Sequence, residues 1–201
     1  MTRSAIALVF TVVVAGCNGG SEQEMLFTAA DANRFANVRP VTPGWPPWPE
    51  RPEKQSPSDS SPEELAAKDP IYAAYRERLD GIPEGSEEGK RWQDGDKLGN
   101  LTVQVFDTPT DAELGFAAFN DLSRGWAEQY GYVTKAEEVD GLGDEAWVLL
   151  VSSNGRGATY HWRRANLVIE AHVDCHGVCP ADVDAAARAW ADAIDEEARS
   201  G

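Results

Sequence analysis

The feature that most constrains this chain is a regular succession of strand and helix patterns that begins at residue 100. Leu101, Val103 and Val105 alternate with Thr102 and Gln104, a pattern typical of a half-buried strand. Further strand patterns follow at residues 132–139, 146–151, 158–163 and 167–173. Short turn-forming segments separate the last four patterns, which indicates antiparallel neighbours.

Two amphipathic helix patterns flank these strands. The first runs from about residue 108 to residue 130 and carries an apolar stripe that includes Phe116 and Phe119. The second covers about residues 181–198 and places Trp190 on its apolar face. The order of strand, helix, strands and helix predicts an α+β fold. In this fold a curled antiparallel sheet of about four to five strands has helices packed on one face.

Residues 25–99 are less regular, and we interpret them as an elaborated N-terminal part of the same domain. Residues 40–61 form a loop rich in Pro and Trp, whose proline density favours an extended conformation. Ser61 and Glu64 have the spacing of a capping box at a helix start. Residues 82–99 are charged and are predicted to be turn-rich.

The N-terminus carries a different pattern. Arg3 precedes an apolar run over residues 5–15, which ends in small residues directly before Cys17. The run is too short for a transmembrane helix, which needs about 20 residues. This segment resembles a bacterial lipoprotein signal, with residues 1–16 as the signal peptide and Cys17 as the lipidated residue. A plain cleaved signal that leaves Cys17 unmodified is the alternative.

The resemblance to a lipoprotein signal implies that a diacylglycerol is attached to the Cys17 sulfur. Acyl chains would then hold the protein in a lipid bilayer. Residues 17–24 would serve as the lipidated cysteine and a flexible tether, and residues 25–201 would form a single extracytoplasmic α+β domain. The predicted location is therefore the extracytoplasmic face of the cell membrane.

The chain is strongly acidic. It contains 34 Asp and Glu residues against 18 Lys and Arg residues, which gives a formal net charge of −16 at pH 7. Nucleic-acid binding needs a basic face, and so does flat binding to an anionic membrane, so this composition argues against both. A solvated acidic surface that keeps the protein soluble is the ordinary explanation.

Cys175 and Cys179 remain once Cys17 is assigned to lipid. One pair of cysteines in an exported chain is typical of a disulfide. The same thiols, with His172 and His176, are the best candidate for a Zn²⁺ site, but their spacing is not a standard zinc pattern and a disulfide removes both thiolate ligands. We therefore predict a Cys175–Cys179 disulfide, with no metal and no cofactor.

Three segments together resemble exported sensor-type domains of actinobacterial lipoproteins. They are residues 139–146 (VDGLGDEA), residues 162–168 (WRRANLV), and Cys175 and Cys179 before an alanine-rich terminal helix. Over about residues 100–198 they are also similar to the extracellular domains of some mycobacterial serine/threonine kinases. The resemblance implies the fold, and ligand sensing is the function proposed for such domains. The kinase domains as a rule carry two disulfides, and this chain departs from them there.

Strand alternation groups polar side chains on the sheet face opposite the expected core. His161 and Arg163 share that face with Glu170 and His172 of the neighbouring strand. A face of this composition suits a small ligand or acid–base chemistry. An ordinary solvated antiparallel face is the alternative.

Trp45 and Trp48 are a second candidate for ligand contact. Prolines surround both residues and hold the segment extended. Exposed tryptophans on such a frame can stack on sugar rings, whereas rings that pack against their own domain have no such role.

The chain shows no nucleophile elbow, phosphate-binding glycine loop or metalloprotease motif. We therefore predict a non-enzymatic, membrane-anchored domain that binds an unknown ligand or protein partner at the cell envelope. One alternative is an envelope enzyme that uses the His161/Glu170/His172 face, which requires a concave pocket with perturbed pKa values. The other is a purely structural spacer, which requires no cleft.

Overall fold

The computed structural model describes residues 26–45, 47–50, 52–54, 61–83, 85–152, 155–179 and 182–200. Their helices are α1 (Ala29–Ala36), α2 (Pro62–Lys68), α3 (Pro70–Leu79), α4 (Pro109–Tyr130) and α5 (Val183–Ser200). Their strands are β1 (Glu53–Lys54), β2 (Ser86–Asp94), β3 (Lys97–Val105), β4 (Val133–Glu138), β5 (Glu145–Ser152), β6 (Gly155–Arg164) and β7 (Leu167–His176). No helix within this described part is long and apolar enough to cross a membrane.

Several predicted features lie outside the described residues. These are the signal peptide at residues 1–16, the lipidation site Cys17, the rest of the tether to residue 24, and residues 55–60 of the predicted loop. The predicted helix starts that do fall in the described part are present. The capping box is one of them, because Ser61 Oγ accepts a hydrogen bond from the Glu64 backbone N–H at 3.2 Å, and the Ser61 backbone N–H donates one to Glu64 Oε2 at 3.2 Å.

All strands belong to one open antiparallel sheet in the order β1-β2-β3-β7-β6-β5-β4. β7 is the central strand. Its residue Glu170 lies opposite Thr102 of β3 on one side and opposite His161 of β6 on the other. Because α4 follows β3 and precedes β4, it carries the chain from the middle of the sheet to its far edge.

One face of the sheet holds the main core. α5 lies over β6 and β7 and buries Trp190 and Ile194 completely. α1 covers β2 and β3 on the same side, where Phe35 is buried. Burial of side chains of this size stabilises the fold by about 1.5–3 kcal/mol each. Tyr160 and Trp162 of β6 belong to this core, as expected because side chains alternate along the strand and His161 and Arg163 were predicted on the opposite face.

The opposite face of the sheet is also covered. α4 crosses β4 to β7, and its Phe116 packs in a second buried cluster with Val168 of β7 and Phe106. α3 in turn packs on α4. The prediction that helices pack on one face is therefore wrong, although the α+β class is confirmed. The physical reason is the apolar stripe of α4, which needs an apolar surface and finds one on the second face of the central strand.

The sheet is also larger than the predicted four to five strands, because it contains six long strands and the two-residue β1. Residues 82–99, predicted to be turn-rich, contain β2 and the beginning of β3. Within β2, Trp92 is the one fully buried side chain, and its neighbours are polar, charged or glycine. An edge-side strand of this composition gives no apolar alternation for the sequence to reveal.

Asp195 of α5 joins that helix to two turns of the sheet. Its side chain is 1% exposed and accepts hydrogen bonds from Arg164 Nε and Nη2, both at 3.0 Å. Arg199 reaches the same carboxylate at 2.6 Å, and the Gly143 backbone N–H donates to it at 3.2 Å. Gly143 has a φ of 51°, and a Cβ there would collide with the Arg163 carbonyl, so this turn requires glycine.

The predicted disulfide between Cys175 and Cys179 is present, with Cα atoms 5.8 Å apart. It closes a short loop between β7 and α5, for which the chain-entropy model gives about 2 kcal/mol of stabilisation. The zinc hypothesis loses both thiolate ligands to this bond. Within the residues that the structure describes, no group of three or more His, Cys, Asp or Glu side chains could hold a metal ion.

Asp195→Ala should destabilise the fold, because Arg164 would be left partly buried without its carboxylate. We expect the free energy of unfolding to fall by about 3 kcal/mol, as for other broken buried pairs, measured by urea denaturation. Asp192→Ala is the matched control, since Asp192 lies on the same helix with its side chain 51% exposed and pairs with Arg188. Its loss should cost less than about 1 kcal/mol. Equal losses in the two variants would contradict the role of Asp195.

Candidate functional site

A cleft lies on the α4 side of the sheet, beneath helices α3 and α4. Its inner cavity has a volume of about 260 Å³, near the lower end of the range for ligand sites, about 300–1,000 Å³. The residues that line this cavity are Tyr72, Tyr75, Glu87, Thr102, Gln104, Phe119, Leu122, Trp126, His161, Val168 and Glu170. A wider outer hollow of about 740 Å³ shares Tyr72, Tyr75, Glu87 and Gln104 with it. We call the two together the α3 cleft.

Asp69 positions the roof of the α3 cleft. Its Oδ1 accepts hydrogen bonds from the backbone N–H groups of Ile71 at 2.8 Å and Tyr72 at 3.1 Å, which caps the N-terminus of α3. Its Oδ2 accepts a hydrogen bond from the indole Nε1 of Trp126 on α4 at 2.6 Å. Burial opposes ionisation of Asp69, but these hydrogen bonds outweigh it and lower the pKa of the carboxyl. A single side chain therefore starts α3 and fastens it to α4.

Aromatic rings form one wall of the α3 cleft. Tyr72 lies parallel to Trp126, with ring centroids 6.3 Å apart and an interplanar angle of 5°. Tyr75 meets Phe119 edge to face at 6.5 Å, and Phe119 contacts the imidazole of His161 at 4.4 Å. Burial raises the pKa of Tyr75 to about 12, so its phenol stays protonated. The wall therefore offers ring faces and edges without a formal charge.

Glu170 lies on the floor of the inner cavity, at the middle of the central strand β7. Among the described residues, no donor forms a hydrogen bond or salt bridge with its carboxylate. Burial, with repulsion from Glu87, raises the pKa of Glu170 to about 7. Near neutral pH, this carboxyl is therefore partly protonated, and its ionised form has no positively charged partner among the described residues.

Glu87 extends the acidic surface to the mouth of the α3 cleft. It is exposed on β2, directly opposite Gln104 of β3. Gln104 Nε2 donates a hydrogen bond to Glu87 Oε2 at 2.6 Å, which holds the carboxylate beside the cavity. The described lining of the inner cavity contains no Lys or Arg, whereas Arg76 lines the outer hollow. The inner cavity is therefore acidic.

His161 lines the same cavity as a neutral group. Its ring is buried, lies against Phe116 at a centroid distance of 4.7 Å, and has Nδ1 2.7 Å from Asn120 Oδ1. An amide oxygen only accepts hydrogen bonds, so this contact assigns the ring proton to Nδ1. Burial lowers the pKa of His161 to about 3. The imidazole therefore supplies no positive charge to Glu170 at neutral pH.

Arg163 and His172 were predicted on the same polar face, but neither lines the inner cavity. Arg163 pairs with Asp144 at 3.4 Å near the end of β6. His172 lies opposite Thr159, whose Oγ1 is 2.8 Å from its Nδ1. Burial lowers the pKa of His172, and Asp174 offsets part of that effect. The face is covered by α4 rather than solvated, and one part of it forms the site.

Trp45 and Trp48 do not form the exposed surface that sugar stacking requires. Trp45 is 9% exposed and Trp48 is 3% exposed. Their rings stack at a centroid distance of 5.8 Å, and Trp48 Nε1 donates a hydrogen bond to Thr42 Oγ1 at 2.8 Å. Both belong to the main core, on the other side of the sheet from the α3 cleft. The two tryptophan rings pack against their own domain, which is the alternative that the sequence left open.

Sequence reasoning found Glu170 and His161 but missed the residues that turn them into a site. Glu87 lies in β2, which has no apolar alternation. Trp126 falls within the helix predicted at about residues 108–130, and Tyr75 lies on α3, but nothing in the sequence distinguishes a ring that lines a cavity from a ring in a core. The cleft depends on how α3 meets α4, and that is a tertiary contact.

No protein-family model and no curated protein sequence matches the chain. Among solved structures, the chain is similar to the extracellular domain of PknH from Mycobacterium tuberculosis. The identity is 13% and the TM-score 0.44, over 87% of this chain and 93% of that one. That domain is an extracellular domain of a mycobacterial kinase, the class of domain that residues 100–198 resemble in sequence. Because the likeness is this distant, neither a function nor the role of any residue is transferred from that domain to this chain.

Glu170→Gln should change how stability depends on pH. The folded-state pKa of Glu170, about 7, lies above its ordinary value of 4.5, so folding favours the protonated form. The associated stability is fully present below about pH 4.5 and is lost as the pH rises through 7. Between about pH 5 and pH 8, the wild type should therefore lose about 2–3 kcal/mol relative to Glu170→Gln in urea denaturation. Glu145→Gln, at an exposed glutamate of β5, should follow the wild type, and parallel profiles for all three would contradict the burial of the Glu170 charge.

Proposed function

We propose that this protein is a ligand-binding domain, held by lipid on Cys17 at the outer face of a membrane, which takes a small molecule into the α3 cleft without converting it chemically. The observation that carries the proposal is the inner cavity. There Glu170, a carboxyl without a protein partner, shares a space of about 260 Å³ with an aromatic wall. Glu170 is only partly exposed, so its ionised carboxylate is poorly solvated, and a ligand that pairs with it would offset part of that cost.

The disulfide supports an extracytoplasmic location. Bridges such as Cys175–Cys179 persist in oxidising compartments and are rare in the cytosol. The leader that ends at Cys17 supports anchoring, since two or more acyl chains bind a bilayer stably. The net charge of −16 suits a domain that stands away from an anionic membrane surface.

An acid–base enzyme is the second candidate function, and one observation favours it. His161 and Glu170 lie together in a concave site, and a pKa of about 7 for Glu170 suits a general acid or base. Against it, His161 is neutral and bound to Asn120, and the described lining of the inner cavity contains no Ser or Cys nucleophile. Catalytic turnover of a substrate by the wild type, lost in Glu170→Gln, would establish the enzymatic function. A purely structural spacer would need no cleft, so the α3 cleft argues against that class.

Cys17→Ser tests the anchor. The hydroxyl of serine cannot form the thioether that would hold the diacylglycerol, so we expect the variant to leave the membrane fraction or to keep its signal peptide. Detergent phase partition and intact mass measure these two outcomes. Cys175→Ser, which breaks the disulfide and leaves the anchor site intact, is the control. A Cys17→Ser protein that stays membrane-bound after normal processing would contradict the proposal.

Thr102→Phe tests the binding site, because Thr102 lines the inner cavity and a phenyl ring would fill part of it. Small molecules from a cell-envelope extract that bind the wild type in ligand-observed NMR should bind this variant at least about tenfold more weakly, a loss of about 1.4 kcal/mol. Thr134→Phe, at an exposed threonine of β4, is the control and should bind like the wild type. Unchanged binding by Thr102→Phe would place the ligand outside the α3 cleft.

A further inference from the structure

We infer that the ligand of the α3 cleft is a small organic cation, whose ammonium nitrogen pairs with Glu170 and Glu87 while its organic part lies against the aromatic wall. This inference rests on the proposed function and adds the chemical class of the ligand. Two properties of its inner cavity lead to it: negative charge without a positively charged protein partner, and accessible aromatic ring surface.

The negative charge in the inner cavity has no counterpart in the protein. Glu170 lies on the floor and Glu87 at the mouth, and no described Lys, Arg or protonated His forms a salt bridge with either. An anionic ligand would add a third negative group to this space. Burial and, to a smaller extent, repulsion from Glu87 disfavour the ionised form of Glu170, and a cation in the cavity would offset both effects.

The groups that face Glu170 from the surrounding elements are neutral or acidic. α3 contributes the phenols of Tyr72 and Tyr75, β2 contributes Glu87, and β6 contributes the neutral ring of His161. α4 contributes apolar and indole side chains, which do not titrate. Arg76 lines the outer hollow beside Tyr75 and is absent from the lining of the inner cavity. A ligand cation would therefore meet no competing protein cation on the cavity floor.

The aromatic wall would provide a second kind of contact with a bound organic cation. Cations are attracted to the faces of aromatic rings within about 6 Å of the ring centroid, most strongly to Trp and Tyr. Tyr72 and Trp126 lie parallel to each other along this wall, with Tyr75 beside Tyr72 at a centroid distance of 5.7 Å. Rings and carboxylates together are the combination that recognises alkylammonium groups, since the rings bind the alkyl part and the carboxylates bind the charge.

A neutral ligand is the main competitor, because a protonated Glu170 could donate a hydrogen bond to it. The two possibilities respond differently to Glu170→Gln. The amide keeps the shape of the side chain and can still donate a hydrogen bond, but it has no negative charge. A neutral ligand would therefore tolerate this change, whereas a cation would lose its main partner.

The test uses the mature protein and three probes of one shape: 2-phenylethylamine as the cation, 2-phenylethanol as the neutral molecule, and phenylacetate as the anion. Tetramethylammonium is added as a smaller cation. Binding is followed by tryptophan fluorescence and calorimetry. We expect the amine to bind at least about tenfold more tightly than the alcohol and phenylacetate to bind most weakly. Glu170→Gln should reduce amine affinity at least about tenfold, and Glu87→Gln by less, because Glu87 is exposed.

Proton release provides a readout that a structural role of Glu170 would not change. At about pH 6.5, amine binding should displace a proton from Glu170, so the measured heat should depend on the ionisation heat of the buffer. This dependence should vanish in Glu170→Gln and persist in Glu145→Gln. Two results would contradict the inference that the ligand is a cation but would leave the proposed ligand-binding function intact. One is equal affinity for the amine and the alcohol, and the other is an amine affinity of Glu170→Gln within about twofold of the wild type. If no probe and no envelope molecule binds the α3 cleft, both the proposed function and the inference of a cationic ligand are contradicted.

Discussion

The central strand β7 is covered on both faces, and the site follows from this double burial. On one face, Ile169 and Val173 are fully buried under α5. On the other face, Val168 is buried beneath α4, and Glu170 is its neighbour on that face. Because side chains alternate along a strand, a central strand covered on both faces leaves little solvated surface for its polar residues. The α3 cleft is where this sheet admits solvent or a ligand to such a residue.

The roof of the cleft depends on the contacts between α3 and α4. Asp69 fastens the start of α3 to Trp126. Gly125 allows the two helices to approach, since an added Cβ would lie 2.9 Å from Ile71 Cγ2. None of the residues of α3 is fully buried. Elements with little buried apolar surface open at low free-energy cost, so α3 is the part of the roof that can move to admit a ligand while the sheet stays intact.

The sequence predicted the parts of the fold that periodicity encodes. Alternation placed Tyr160 and Trp162 in the core and His161 on the opposite face, and the structure confirms all three. Periodicity could not show that α4 would cover that opposite face. An apolar stripe indicates that one side of a helix is buried, but it does not identify the surface on which the helix packs. It could not find β2, whose pairing with β3 depends on backbone hydrogen bonds rather than on an apolar pattern. Glu87 was missed for the same reason, and with it the acidic mouth of the site.

The structure also shows which of the acidic residues behind the net charge of −16 can act on a ligand in the cleft. At physiological ionic strength, screening limits the reach of an exposed charge to about 8 Å, so most of the acidic surface cannot act on a molecule inside the cleft. The outer hollow is different, because its described lining includes Glu77, Asp80 and Glu87 against Arg76. These charges stand at the entrance and favour the approach of cations. Glu170 lies deeper, where water screens less. The carboxylates at the entrance are therefore placed to attract cations, and Glu170 is the carboxylate placed to pair with one inside the cavity.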